Sequence, residues 1–280
     1  MTTQTREFVA STPGRLSRTA FTLTEVLVVI FTLGLLAALL MPALAGARSQ
    51  AQSLVCRTRL RQLVLANVGY ATENDGFYVP AASDMSNNAG LHRWHGVRTA
   101  RNEPFDPSKG PLAAFLAEGR IKECPTRVGF SKTAGWGSSF EKGCGGYGYN
   151  MTYLGSRLWE AAAEFKQAYA RTTAAQEVAN PGQTVMFADT AMANAGETLI
   201  EYSFAEPPFT VYAGQVMTDF YMSPSIHFRH QQRTNVGWAD GHVGTEAMAP
   251  FEGVNAYGAR SSAFELGWFE PADNTPFDLR

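Results

Sequence analysis

The sequence predicts an α+β protein: a long N-terminal helix whose first half is apolar enough to span a membrane, followed by a C-terminal head built on an antiparallel β-sheet. Three observations predict it. Val26 through Ala47 is a run of 22 residues without a charge, the length at which a helix crosses a hydrocarbon core. Beyond Pro42 the apolar residues keep helical spacing until Asn74-Asp75-Gly76 supplies a stop. The C-terminal half then carries short strand-like runs separated by Gly, Pro, Asn and Asp. At 280 residues, 45% of them hydrophobic, the chain can bury one sizeable core and carry an appendage.

In order along the chain, four parts are expected: a leader at 1–20, a membrane helix at 21–44, a helical stem at 45–74 and a head at 75–280. Charge separates them. The leader holds Arg6, Arg15 and Arg18 against Glu7, and the stretch 48–61 holds Arg48, Arg57, Arg59 and Arg61 with no acid. Of the 23 bases and 25 acids overall, 62–280 keeps 16 and 23, so a basic stem carries an acidic head. A pI near 6.2 argues against a nucleic-acid partner.

The apolar run admits two fates. As a secretory signal peptide it would be cut after Ala45, in "ALA" before Gly46, and release a soluble metal-binding protein or hydrolase. The run is long for that, and a signal core has no use for Glu25, the one carboxylate at its mouth. The residues that favour the second fate are "FTLTEVLVVIFTLGLLAALLMPAL" behind a basic leader. This segment closely resembles the N-terminal processing segment of type IV prepilins and type II secretion pseudopilins. In that pattern a prepilin peptidase cuts before Phe, a Glu follows four positions later, and a proline lies about two-thirds along the apolar helix. Phe21, Glu25 and Pro42 match, while Ala20 stands where the family usually has Gly.

The resemblance implies cleavage between Ala20 and Phe21 and N-methylation of Phe21. It implies a pilin-like fold and a non-enzymatic subunit that assembles with other pilin-like subunits on an inner-membrane secretion or pilus platform. The chain would then pass once through a bacterial inner membrane with its head in the periplasm, or sit on a filament or the cell surface. It also answers why a glutamate stands there. The freed Phe21 amine lies one turn from Glu25, and opposite charges on neighbouring subunits neutralise each other where the dielectric is low. Glu25 would thereby set the axial register, and Pro42, lacking an N–H, should kink or loosen the helix.

In the stem, Leu60, Leu63, Val64 and Val68 recur at helical spacing with Arg57, Arg59 and Arg61 on other faces. A helix from Phe21 to Tyr70 would run roughly 75 Å. Residues 75–110, rich in Asn, Ser, Asp, Gly and Pro, read as a long exposed excursion. Short helices are expected at 110–119, with Pro111 in the first turn and Gly119 closing it, and at 156–170. Strands are expected at 184–189, 198–204, 208–213, 234–240 and 242–247.

Within the head, "HQQRTNVGWADGH" separates His230 from Asp240-Gly241 by nine residues. It resembles the H-X9-DG element at the C-terminal end of a bacterial family of prepilin-type proteins. "ECPTR", "GYGYN" and "NPGQTVMFADT" resemble that family's intervening blocks, leaving about the last 30 residues outside. Read from the residues, Asp240-Gly241 is a two-residue type I′ hairpin turn, and His230 hydrogen-bonds back toward it. A sharper reading gathers His227, His230, Asp240 and His242, with Asp189, around a divalent cation; otherwise no cofactor is expected. Cys56, Cys124 and Cys144 form no C-x-x-C pattern. Cys124 and Cys144 lie in Gly-rich surroundings that would let them bridge in an oxidising compartment, or they are buried free thiols. No G-x-S-x-G, H-E-x-x-H or P-loop occurs, so catalysis has no motif behind it.

Overall fold

The computed structural model describes residues 21–87, 89–126, 129–130, 141–194 and 198–280; the leader and Ala20 lie outside them. The chain divides after Ala47 into two compact units. Helix α1 (Leu23–Glu73) begins in the first and continues into the second.

In the first unit α1 is apolar on every face, and its large side chains from Leu23 to Leu44 are all exposed. It is long and apolar enough to cross a membrane. The helix runs through Pro42 without a break; the single missing N–H is tolerated inside an otherwise bonded helix.

In the second unit α1 buries Cys56, Leu60, Leu63, Val64, Asn67 and Ala71, a stripe at three- and four-residue spacing. Val68, expected on this stripe, is turned outward. The helix ends where Asp75 and Gly76 take positive φ (54° and 85°) and the Gly76 N–H donates to the Ala71 carbonyl at 2.9 Å, closing the last turn.

The stripe packs on a four-stranded sheet of β1 (Tyr147–Tyr149), β2 (Val185–Asp189), β3 (Arg233–Trp238) and β4 (Val243–Ala247), in the order β4-β3-β2-β1 with every neighbour antiparallel. Tyr149 pairs with Phe187 and Phe187 with Gly237. Cross-strand partners share a face, and this face meets α1. A Cβ on Gly237 would lie 2.7 Å from Val64 Cγ2, so glycine is what lets the helix settle onto β3. Tyr149 stacks on Phe187 with ring centroids 4.8 Å apart, and Trp94 packs against Phe187 at 4.9 Å. All five residues of β2 are buried, as expected of a strand covered on both sides. The C-terminal segment joins the core: Trp268, Phe269 and Phe277 are buried, and the Asn150 amide donates to the Phe277 carbonyl at 2.7 Å.

Several expectations are corrected. Residues 75–110 are not an exposed excursion: Tyr78, Val79, Trp94 and His95 are buried. The Arg93 guanidinium, also buried, grips Glu141 through Nε and Nη2 at 3.0–3.1 Å, and Ser203 Oγ donates to the same carboxylate. The polar composition serves an internal network. The segment 110–119 holds only a 3₁₀ turn at Ala113–Phe115, and 156–170 splits into a 3₁₀ turn at Leu158–Glu160 and a short helix α2 (Phe165–Ala170). In 198–204 only Leu199–Ile200 pairs as a strand, with Met192–Ala193. The run at 208–213 does form a strand, Phe209–Tyr212, hairpinned to Gln215–Tyr221.

Asp240-Gly241 is not a type I′ turn. Gly241 has positive φ (97°) and Asp240 does not. The Gly241 N–H donates to the Trp238 carbonyl and the Trp238 N–H to the His242 carbonyl, both at 3.0 Å. This is a three-residue loop closed by a left-handed glycine. The primed geometry lies at the other end of β3: Gln231 and Gln232 both have positive φ (56° and 61°), and His230 and Arg233 exchange backbone hydrogen bonds at 3.0 and 3.2 Å.

Candidate functional site

Two places gather the residues the sequence singles out. The first is the start of α1. Thr22 donates to Glu25 Oε2 through both its N–H and its hydroxyl, at 2.8 Å each, and the Glu25 N–H donates to Thr22 Oγ1 at 3.2 Å. Thr22-Leu23-Thr24-Glu25 is thus a capping box, each residue satisfying a backbone donor of the other. The T-x-x-E spacing is a helix-start signal legible in the sequence, and it gives Glu25 a role apart from its charge. The exposed Phe21 directly precedes the box.

The second place is inside the head, where α1 meets the sheet. Cys56 comes from α1, Cys124 from the loop of "ECPTR", Asp189 from the end of β2, and His230 from the turn before β3. One donor atom from each lies within 4.8 Å of the others. His230 Nε2 is 3.2 Å from Asp189 Oδ2 and 3.7 Å from Cys124 Sγ; Cys56 Sγ is 3.0 Å from Asp189 Oδ1. The other imidazole nitrogen, Nδ1, faces Thr126 Oγ1 at 3.2 Å. The Asn235 N–H donates to Asp189 Oδ2 at 2.9 Å. Cys56, Asp189 and His230 are buried and Cys124 half-buried.

The electrostatics agree with the contacts. The neighbouring Cys56 thiol, with burial opposing it and the His230 hydrogen bond adding to it, brings the Cys124 thiol well down. Burial works against a charged His230, but the Asp189 and Cys124 hydrogen bonds outweigh it and hold the imidazole up at about 9. Burial pushes the Cys56 thiol well up. Burial also opposes ionisation of Asp189, yet the Arg229 charge and the His230 hydrogen bond hold its carboxyl below the usual range. Arg229 itself is buried and donates to the Gly146 and Thr190 carbonyls at 2.9 and 2.5 Å.

The expected cation set is therefore broken up. His230 and Asp189 do meet, but His242 and Asp240 pair with each other at the surface, 2.6 Å apart. Asp240 closes its own turn, accepting from the His242 N–H at 3.0 Å. His227 is buried outside the cluster, in a strand paired with Leu266–Gly267; burial and the Arg229 charge push it down to about 2. His230 does not turn back toward Asp240, because the two stand at opposite ends of β3. Cys124 and Cys144 are not bridged. All three cysteines are free thiols, with Cys124 turned to Cys56 and His230 and Cys144 buried outside the cluster. The thiols' contribution to a donor set is not legible in the sequence, since the whole of 75–110 lies between Cys56 and Cys124 and they share no short spacing.

Compared with protein-family models, curated proteins and solved structures, the chain matches none.

Proposed function

We propose that the chain is a non-enzymatic, pilin-like subunit, cut by a prepilin peptidase between Ala20 and Phe21 and assembled through α1 into a type II secretion pseudopilus or type IV pilus-like filament. The observation that carries this reading is the start of α1: an apolar helix exposed on every face, with one carboxylate at its mouth bonded to the N–H of Thr22, the second residue after the expected cut. A carboxylate at the centre of a membrane helix costs on the order of 2.5–3.5 kcal/mol on insertion scales, and one nearer the mouth is retained at lower cost if a neighbouring subunit's freed amine meets it. Such a subunit would pass once through the inner membrane with its head in the periplasm. The alternative, release by signal peptidase after Ala45, requires cutting a bond that lies inside α1, whereas proteolysis favours exposed loops and frayed ends.

Mass spectrometry of the mature protein tests the reading: an N-methylated Phe21 terminus supports it, and a Gly46 terminus overturns it. The capping box gives Glu25 a second role, so the register argument needs a variant that separates charge from cap. Glu25→Gln keeps a capping-box acceptor and removes the charge. Its insertion into membranes is expected to be unchanged and its incorporation into filaments lost; normal incorporation would leave Glu25 as a helix cap alone.

A further inference from the structure

We propose that Cys56, Cys124, Asp189 and His230 form a zinc site that clamps the distal part of α1 to the sheet of the head. The geometry distinguishes a ligand set from a catalytic relay. In a Cys-His-Asp relay the acid and the thiol engage opposite nitrogens of the imidazole, so that the proton passes through the ring. Here Asp189 Oδ2 and Cys124 Sγ both face Nε2, and the other nitrogen is engaged by Thr126. The donors converge on one point instead of lining up in series.

The spacing fits a small tetrahedral ion. Donors about 2.0–2.3 Å from a tetrahedral centre stand about 3.3–3.8 Å from one another. The His230 Nε2–Cys124 Sγ separation of 3.7 Å falls in that range, those from His230 to Asp189 Oδ2 (3.2 Å) and from Cys56 to Asp189 Oδ1 (3.0 Å) lie just below it, and one donor atom from each of the four residues lies within 4.8 Å of the others, so small side-chain shifts admit the ion. Two sulfurs, one imidazole nitrogen and one carboxylate oxygen select zinc among the common divalent ions, because magnesium and calcium take oxygen ligands and avoid thiolates.

The surroundings complete the site. Thr126 fixes the imidazole with Nε2 inward, and the Asn235 N–H steadies Asp189, the outer hydrogen bonds that ligating His and carboxylate groups characteristically keep. Two thiolates and one carboxylate are neutralised by one divalent ion together with the buried Arg229 guanidinium beside them. The four ligands come from α1, a loop, β2 and the turn before β3, so metal binding is coupled to docking of the helix on the sheet. Helix α1 carries the only thiol ligand outside the loop, and no other ligand ties it to the head through a metal.

Elemental analysis of the full-length chain, extracted in detergent and dialysed with zinc, tests the proposal. One zinc per chain is expected, with loss of the metal in Cys56→Ser, Cys124→Ser and His230→Ala and retention in Cys144→Ser. Because a ligand variant could misfold, cobalt titration of the unsubstituted protein serves as the second measurement: a thiolate-to-cobalt charge-transfer band with tetrahedral visible absorption is expected, and chelation should lower Tm. Absence of stoichiometric zinc together with absence of that band overturns the proposal. So does a Cys56–Cys124 disulfide in the metal-free protein recovered from its native compartment, or zinc that leaves with Cys144 and stays without Cys56.

Discussion

The two parts of α1 share a backbone conformation and differ in everything else. From Leu23 to Leu44 large apolar side chains are exposed on all faces, whereas from Cys56 to Ala71 only one stripe is apolar and buried. A helix hydrophobic all round needs an apolar solvent, and a striped one needs a single protein face. One helix by backbone hydrogen bonding thus carries two different side-chain patterns. The distinction is carried by side chains alone, with Gly237 shaping the surface that receives the striped part.

The sharpest way to break this contrast is to make the same substitution in both parts. Leu60→Ala should lower the stability of the head by about 2–5 kcal/mol, as expected for a fully buried leucine, measured by chemical denaturation in detergent. Leu33→Ala should leave head unfolding within about 0.5 kcal/mol of the starting protein. Equal effects would mean that the apolar part also packs on the head. Next in size, Gly237→Ala should cost about 1–3 kcal/mol by overpacking against Val64, and pairing it with Val64→Ala should recover part of the loss.

Acid should then separate the two parts by charge. His227 binds a proton near pH 6.5 in an unfolded chain and only at about 2 in the folded head. Its contribution is therefore complete above pH 6.5 and is lost as pH falls toward 2, at up to about 1.4 kcal/mol per pH unit. His227→Leu should flatten that slope in pH-dependent unfolding. The Val26–Ala47 run, with nothing to titrate, should keep its helical circular dichroism in micelles throughout. A purely local effect is expected at the mouth of α1: Thr22→Ala should cost about 1 kcal/mol of helix stability there, read as faster amide exchange over the first turn with no change in the head.

The sequence made the helix and the β3–β4 hairpin readable because both announce themselves locally: an uncharged run and a three-to-four spacing in one case, alternating strands around Asp-Gly in the other. The excursion was misread for a physical reason. Asp84, Arg93, His95 and Arg98 look like loop residues by composition, yet Arg93 and His95 sit inside the head around Glu141, a partner more than 40 residues away that no local pattern reveals. The thiol-containing cluster escaped for the same reason, since its four donors come from four separate segments. His230 and Asp189 stand out in the sequence as chemistry-bearing residues, but the nearby histidines His227 and His242 are not their partners. The type I′ turn was assigned to the wrong end of β3 because Asp-Gly is the usual signal for it, while Gln231-Gln232 carries none.

The interval between His230 and Asp240-Gly241 follows from what lies between them. A primed turn, a strand of fixed length and a glycine-closed loop fill it, so the spacing measures out one strand like a ruler cut to size. Adding or deleting one residue inside β3 would invert which side chains point toward the helix. It would also rotate the imidazole away from the carboxylate at the end of β2, even with every amino acid of the motif still present. Length here is therefore as chemical a property as composition.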